Sequence, residues 1–295
     1  MSWAMWVTTV ISGLCTGSLF GLVSAAFSFQ IGALRMLNFA YGAFVMIGMY
    51  LMYGGIHYLG WHIAVVVPVL VIFYFFAGCF LRATLLKRVL PSVQIIVTAG
   101  ISLVVESLVL YTAGAMPRSL FSGILPAWRF ELFGHGLVVI NMLNVLTFVV
   151  STVVLLGFSM FLKRTWLGMT IRAVVQQKEA ASLMGIDAEK IINIGFGISF
   201  IMTSIASIII SLQFVLEPSA GHYYQLIGFL VCVIAGIGNL KGGFFAGLLV
   251  GLISTVVSVY IAAWHDPIIF VLFVFVLIYL PHGVFVSKKS LTRAV

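Results

Sequence analysis

Charge is what this chain has least of. Only 7% of its 295 residues are Asp, Glu, Lys or Arg, against roughly 25% in soluble domains. A fold of this length with so little charge cannot cover its apolar surface in water, which excludes a soluble enzyme or binding module. Cysteine is also scarce. Cys15, Cys79 and Cys232 lie inside apolar runs without metal-ligand spacing, and they read as small core residues. No G-x4-G-K-[ST] is present, so the chain does not cradle ATP phosphates by that means. The six histidines form neither an H-E-x-x-H nor a dense cluster, which argues against an intramembrane metalloenzyme. No metal and no other cofactor is expected. The first ten residues, MSWAMWVTTV, carry no positive charge and no A-x-A site, so no removed signal peptide is predicted.

What is present is hydrocarbon. Hydrophobic residues make up 63% of the chain, and the mean hydropathy is +1.24. The apolar runs are unbroken over roughly 20 residues, the length of a membrane helix, whereas barrel strands are roughly 10 residues of alternating polarity. The predicted fold is an all-α polytopic membrane protein, a single domain over residues 1–295. Nine spans are expected, at 6–30, 38–58, 62–83, 93–112, 138–162, 192–214, 222–240, 243–264 and 267–286. Re-entrant or broken segments near 38–58 or 222–240 would make the number eight or ten. Segments before and after the fifth run in opposite senses, the arrangement of an inverted repeat.

Charge sets the orientation. With the N-terminus outside and nine spans alternating, thirteen Lys and Arg fall on the cytoplasmic side and only Arg118 and Arg129 outside. That bias is the positive-inside signature. The long outer segment 113–137 reads as loop from Pro117, Pro126 and its glycines. Its Trp128, Phe130 and Phe133 suit an interfacial belt or an external partner.

One charged island stands out, residues 163–190, with five of the fifteen basic and three of the seven acidic residues. A short helix is expected over Ile171–Met184, with Arg172, Gln176 and Glu179 on one face and Ile171, Val174 and Val175 on another. Gly185 is placed to end it. Asp187 is placed to cap the next helix, with Glu189 in its first turn. The polar face mixes signs, which suits a protein partner better than a purely anionic lipid surface.

Within the spans, Gly42 and Gly48, and Gly243, Gly247 and Gly251, stand at small-residue spacings that allow close helix approach or a backbone-lined path. Glu106 is the one acid placed deep in a span. It must face protein or water, either lining a path or acting as glue with a neighbour such as Ser102. Gln213 and Glu217 mark the outer end of the sixth span.

Four stretches, in order, carry a resemblance. Glu179-Ala180-Ala181-x3-Gly185 is the E-A-A-x3-G core of permease subunits of bacterial ABC importers. GLVSAAFSFQIGALRMLNFAYGAFVMIGMY (21–50), TAGISLVVESLVLYTAG (98–114) and VIAGIGNLKGGFFAGLLVGLI (233–253) are similar to spans of the branched-chain amino-acid permeases of LivH/LivM type. The departures are Tyr41, where the family commonly has His, and Asn239–Gly242, where it often has Ser-Pro-Gly. The resemblance implies a pore subunit rather than an enzyme, moving branched-chain or related amino acids inward across the bacterial inner membrane. It implies cytoplasmic ATPase subunits that receive Arg172, Glu179, Ala180, Ala181 and Gly185, a second permease subunit (identical or paralogous), and an external substrate-binding protein. It further suggests that Arg35 and Asn38 order a broken backbone. Gln30, Asn38, Gly42 and Glu106 are the candidates for the path. The competing class is a stand-alone channel or secondary carrier for small polar solutes such as urea or amides.

Overall fold

The computed structural model describes residues 3–32, 34, 36–87, 89–120, 127–131, 137–280 and 283–285, with side chains for all but 3–4, 91–92, 127–131 and 137–140. Eleven α-helices are found there: α1 (Trp3–Gly32), α2 (Tyr41–His57), α3 (Ile63–Leu81), α4 (Pro91–Ala113), α5 (Met142–Arg164), α6 (Trp166–Gln176), α7 (Lys178–Leu183), α8 (Ala188–Gln213), α9 (Ala220–Ala235), α10 (Leu240–Tyr260) and α11 (His265–Tyr279). A π-helical turn, Arg82–Leu86, prolongs α3. The chain is a multi-pass membrane protein, and its described residues are all-helical but for one antiparallel hairpin, β1 (Ala127–Glu131) and β2 (Leu137–Asn141), with Ala127 opposite Asn141. This hairpin corrects two expectations. Part of the segment 113–137, expected as loop, is strand, and the helix of the fifth expected span begins at Met142 rather than 138. The side chains of Trp128, Phe130 and Phe133 fall outside the described residues.

Among the described residues, seven helices are long and apolar enough to cross a membrane. The nine expected segments differ from these at two places. Helix α2 has 17 residues and α9 has 16. At ~1.5 Å per residue each is about 25 Å long, short of the ~30 Å hydrocarbon core. Both lie where the sequence allows a re-entrant or broken segment. The reason for the first is local. Residues 36–40 are not helical, and their amides bond elsewhere: Phe39 N–H donates to Thr98 Oγ1 at 3.0 Å and Ala40 N–H to Asn38 Oδ1 at 3.0 Å. Helix α9 stops at Ala235 because Gly236 takes φ +83°.

The chain forms two compact units. Unit 1 comprises Met1–Ala25, Phe121–Leu155 and Ile227–Val295. Here α1 and α10 interlock through glycines. A Cβ on Gly17 would stand 2.6 Å from Leu248 Cα and 2.8 Å from the Gly247 carbonyl oxygen. A Cβ on Gly251 would overlap the backbone of Gly17 and stand 2.8 Å from the Gly13 oxygen, and one on Gly247 would overlap Gly21. Gly243, the third member of the predicted ridge, is looser, with Ser24 Oγ at 3.9 Å. The partner ridge, Gly13-x3-Gly17-x3-Gly21, has the same spacing in the sequence but was not among the expected packing residues. Asn239, one of the departures, caps α10 by accepting from Gly242 N–H at 3.0 Å, and it donates to Phe285 O at 2.9 Å.

Unit 2 comprises Ala26–Leu120 and Leu156–Leu226. Its centre is α8, against which α3 packs most extensively and α2 next. Gly78 on α3 faces Phe200 and Gly197, and Gly48 on α2 faces Ser207, with Tyr74 Oη 2.8 Å from the position of its missing Cβ. The outer helices are the reverse of α8. Of its apolar window 78% is buried, against 17% for α4, so α4 turns its Ile96, Leu103 and Leu108 outward, as a lipid-facing helix does.

Candidate functional site

Two groups of residues carry the functional argument, both within unit 2. The first is the charged stretch 163–190. Thr165 caps α6, accepting from Gly168 N–H at 3.0 Å. Ile171 and Val174 are buried, and α6 packs on α8, so the apolar stripe fixes the axis of α6. The single helix expected over Ile171–Met184 is broken at Gln177, which is extended at φ −146°, ψ 93°. Beyond the break, Ala181 is buried while Lys178, Glu179 and Ala180 remain exposed. Arg172 and Glu179 therefore sit on different helices, and Arg172 bends back to donate to Lys163 O at 3.4 Å.

The end of α7 is closed by two bonds. Ile186 N–H donates to Ala181 O at 3.2 Å and Gly185 N–H to Ser182 O at 3.0 Å, the 6→1 and 5→2 pair of a Schellman cap. It requires left-handed backbone, and Gly185 has φ +82°, a conformation that costs an L-residue roughly 1–2 kcal/mol. Asp187 then caps α8, accepting from Lys190 N–H at 3.1 Å. That bond, with the Lys190 ammonium, holds its carboxyl below the ordinary carboxylate range.

Glu179 has no hydrogen bond or ion pair among the described residues, and beside it Leu183 and Met184 are 89% and 83% exposed. Two large apolar side chains thus stand exposed on a capped turn, beside an acid with no partner among the described residues. Sequence reasoning found the acid and missed the apolar pair. The signal was available, since Leu183 and Met184 fall off the Ile171–Val174 stripe.

The second group surrounds the start of α2. Gln30 Nε2 donates to Ser199 Oγ at 3.0 Å on α8. Asn38 Oδ1 accepts from Ala40 N–H, as above, and Asn38 O accepts from Tyr41 N–H at 3.3 Å. Gly42 N–H donates to Gln225 Oε1 of α9 at 2.7 Å. Gln30 and Asn38 are almost wholly buried, yet Gln30 Oε1 and Asn38 Nδ2 lack partners among the described residues. Gly42 also touches Gly221, whose carbonyl oxygen occupies the space a Cβ would need. Thus the first turns of the two short helices meet backbone to backbone. Glu106 joins this group only through α9: its Oε2 is 2.8 Å from His222 Nε2, and among the described residues it is not bonded to Ser102. Of the four expected path residues, Asn38 and Gly42 flank the α2 break, Gln30 is joined to it by Met36 N–H donating to its carbonyl at 3.0 Å, and Glu106 is tied to the first turn of α9. Arg35 falls outside the described residues.

Comparisons with known proteins agree with one another. The family model for "Branched-chain amino acid transport system / permease component" matches residues 9–277. The chain is 25% identical over 288 residues to the high-affinity branched-chain amino acid transport system permease protein BraD of Pseudomonas aeruginosa, covering 93% of this chain and 94% of that one. It is 26% identical over 294 residues to the corresponding LivH of Escherichia coli, at the same coverage. A probable LivH of Methanocaldococcus jannaschii is 24% identical over 240 residues, 77% of this chain and 73% of that protein. No solved structure matches the chain. These relatives are permease proteins of transport systems, which disfavours the stand-alone channel or carrier. The match to the family model runs through both short helices, the glycine ridges and the capped charged stretch, and the chain belongs to the branched-chain amino acid transport permease family.

Proposed function

We propose that this chain is the pore subunit of an ABC importer in the bacterial plasma membrane, carrying branched-chain or related amino acids inward. Separate cytoplasmic ATPase subunits supply the work, an external binding protein supplies the substrate, and a second permease subunit completes the pore. The chain has no phosphate-cradling motif of its own, so ATP hydrolysis belongs to the partners. With the short helices α2 and α9, each continued by the non-helical residues beside it, counted as crossings, the N-terminus lies outside and the C-terminus in the cytoplasm, on the thirteen-to-two division of basic residues.

The observation that carries this reading is the capped docking turn. Glu179, Leu183 and Met184 project from it unpartnered, while Gly185 and Asp187 join it directly to α8. ATPase closure that moves α7 therefore moves the helix at the centre of unit 2. The path runs past the break at Asn38 and Gly42. Helix N-termini carry partial positive charge, and interrupted helices that aim this end at a substrate carboxylate are a recurring transporter device. The meeting of α2 and α9 at Gly42 and Gly221 fits that role, and the two helices occupy corresponding places in the proposed inverted repeat.

Glu179→Ala and Gly185→Val are expected to lower substrate-stimulated ATPase activity of the assembled complex by roughly tenfold, the equivalent of about 1.4 kcal/mol of docking energy. Insertion of the permease into the membrane should be unchanged. ATPase stimulation at the wild-type level in both variants would remove the docking role from this turn.

A further inference from the structure

We propose that Glu189 is the positioning residue that carries movement of the docking turn into the helix pair α3/α8. This rests on the importer reading above and adds to it a specific mechanical link. One carboxylate holds three elements. Glu189 is in the first turn of α8; its Oε1 accepts from Lys178 Nζ at 2.6 Å, and Lys178 is the first residue of α7. Its Oε2 accepts from Arg82 Nη2 at 3.5 Å, and Arg82 opens the π-helical turn at the end of α3.

The two bonds differ in character. The Lys178 side chain is 54% exposed, whereas that of Arg82 is only 9% exposed. Arg82 Nε and Nη1 have no partner among the described residues, and Glu189 is the carboxylate there that offsets a buried guanidinium. A buried charge left without its partner is strongly destabilising, which ties α3 to α8 at this point. Lys178 is then the arm that reaches from the docking helix to that fixed point. The other polar contacts of the stretch stay local: Lys190 pairs with Asp187 at 3.3 Å, and Arg172 returns to Lys163. Lys163 is at the end of α5, and neither contact reaches α3 or joins α7 to α8 through a side chain on both.

From Glu189 the link continues through tightly packed surfaces. Gly197 on α8 faces Phe75 and Cys79 on α3, and Gly48 on α2 faces Ser207 on α8. Close-packed interiors transmit displacement instead of absorbing it. A shift of Lys178 is thereby delivered to α3 and α8 together, and through α8 to α2, whose first turn holds Gly42. The alternative link is the covalent one, the four residues 184–187 between α7 and α8. The two can be separated, because the covalent link survives any side-chain change.

The test uses the full complex of permease, ATPases and binding protein in proteoliposomes, with leucine as the probe. Substrate taken up per ATP hydrolysed is measured beside basal ATPase activity and co-purification of the subunits. Lys178→Met removes the arm and leaves the Arg82–Glu189 pair. It should lower the coupling ratio about fivefold, the lower end of typical coupling between sites, with assembly and basal hydrolysis intact. Glu189→Gln should lower the ratio at least as far, the double variant no further than Glu189→Gln alone, and Glu189→Asp should recover part of it. Full coupling in both Lys178→Met and Glu189→Gln, beside a coupled wild type, overturns the proposal and assigns transmission to the covalent loop. Additive losses in the double variant also overturn it, since the two residues would then act separately. If the wild-type complex itself shows no ATP-driven uptake, the importer reading fails first.

Discussion

Gly42→Val is expected to abolish transport by a complex that still assembles in the membrane. The Gly221 carbonyl oxygen already occupies the position of the new Cβ, and Gln225 Cβ lies 2.8 Å from it. Both obstacles hang on the backbone of α9, so no rotamer change relieves the clash. Overpacking of this kind costs roughly 1–3 kcal/mol where side chains can shift, and here the backbone itself must part. Separation of the two helices also breaks the 2.7 Å bond from Gly42 N–H to Gln225 Oε1. The reverse substitution is an internal control. A Cβ on Gly221 stands 3.1 Å from the Gly42 oxygen, tight but within reach of a small adjustment. Gly221→Ala should therefore retain measurable uptake, whereas Gly42→Ala should lose most of it. Initial uptake rates in proteoliposomes, normalised to inserted permease, check the contrast. Equal activity of the two alanine variants would contradict a backbone crossing at this point.

The second large effect is on stability. Gly251→Val should leave little folded protein, because its Cβ would overlap the Gly17 backbone and press on the Gly13 oxygen. Helices that meet through glycine have no side chain to yield. A loss of several kcal/mol is comparable to the whole stability of a typical domain, about 5–15 kcal/mol. Gly243→Ala, in the same sequence pattern, faces only Ser24 Oγ at 3.9 Å and should be tolerated. Thermal unfolding followed by size-exclusion chromatography in detergent distinguishes them. Aggregation or loss of the monodisperse peak is expected for Gly251→Val alone. Similar profiles for both variants would mean that the glycine spacing, not the close approach, governs this interface.

Much of this architecture can be read in the sequence. The charged island, the Gly185 stop and the Asp187 cap are legible because each rests on local chemistry: φ sign, a side-chain oxygen, a first-turn amide. The apolar runs locate most of the long helices for the same reason. What hydropathy cannot register is where a helix stops while the chain stays apolar. Leu37, Phe39 and Ala40 are as apolar as the span they precede, so the break before Tyr41 is invisible to it. Gln177 hides in the same way, because its residue type is compatible with helix. Partners far apart in the chain are harder still. Glu106 meets His222, and Glu189 meets Arg82, pairings that no spacing announces. The ridge Gly13-x3-Gly17-x3-Gly21 was visible, but nothing in the sequence says that it faces Gly247 and Gly251 rather than lipid.

The central claim is that the pore works only when driven from the docking turn. The most direct measurement is leucine uptake into proteoliposomes containing binding protein, with the permease alone or with its ATPase subunits. Accumulation should require the ATPases and internal ATP, and it should vanish when either is omitted. Sustained uptake by this chain alone, without ATP, would contradict the account and make residues 163–190 an ordinary loop.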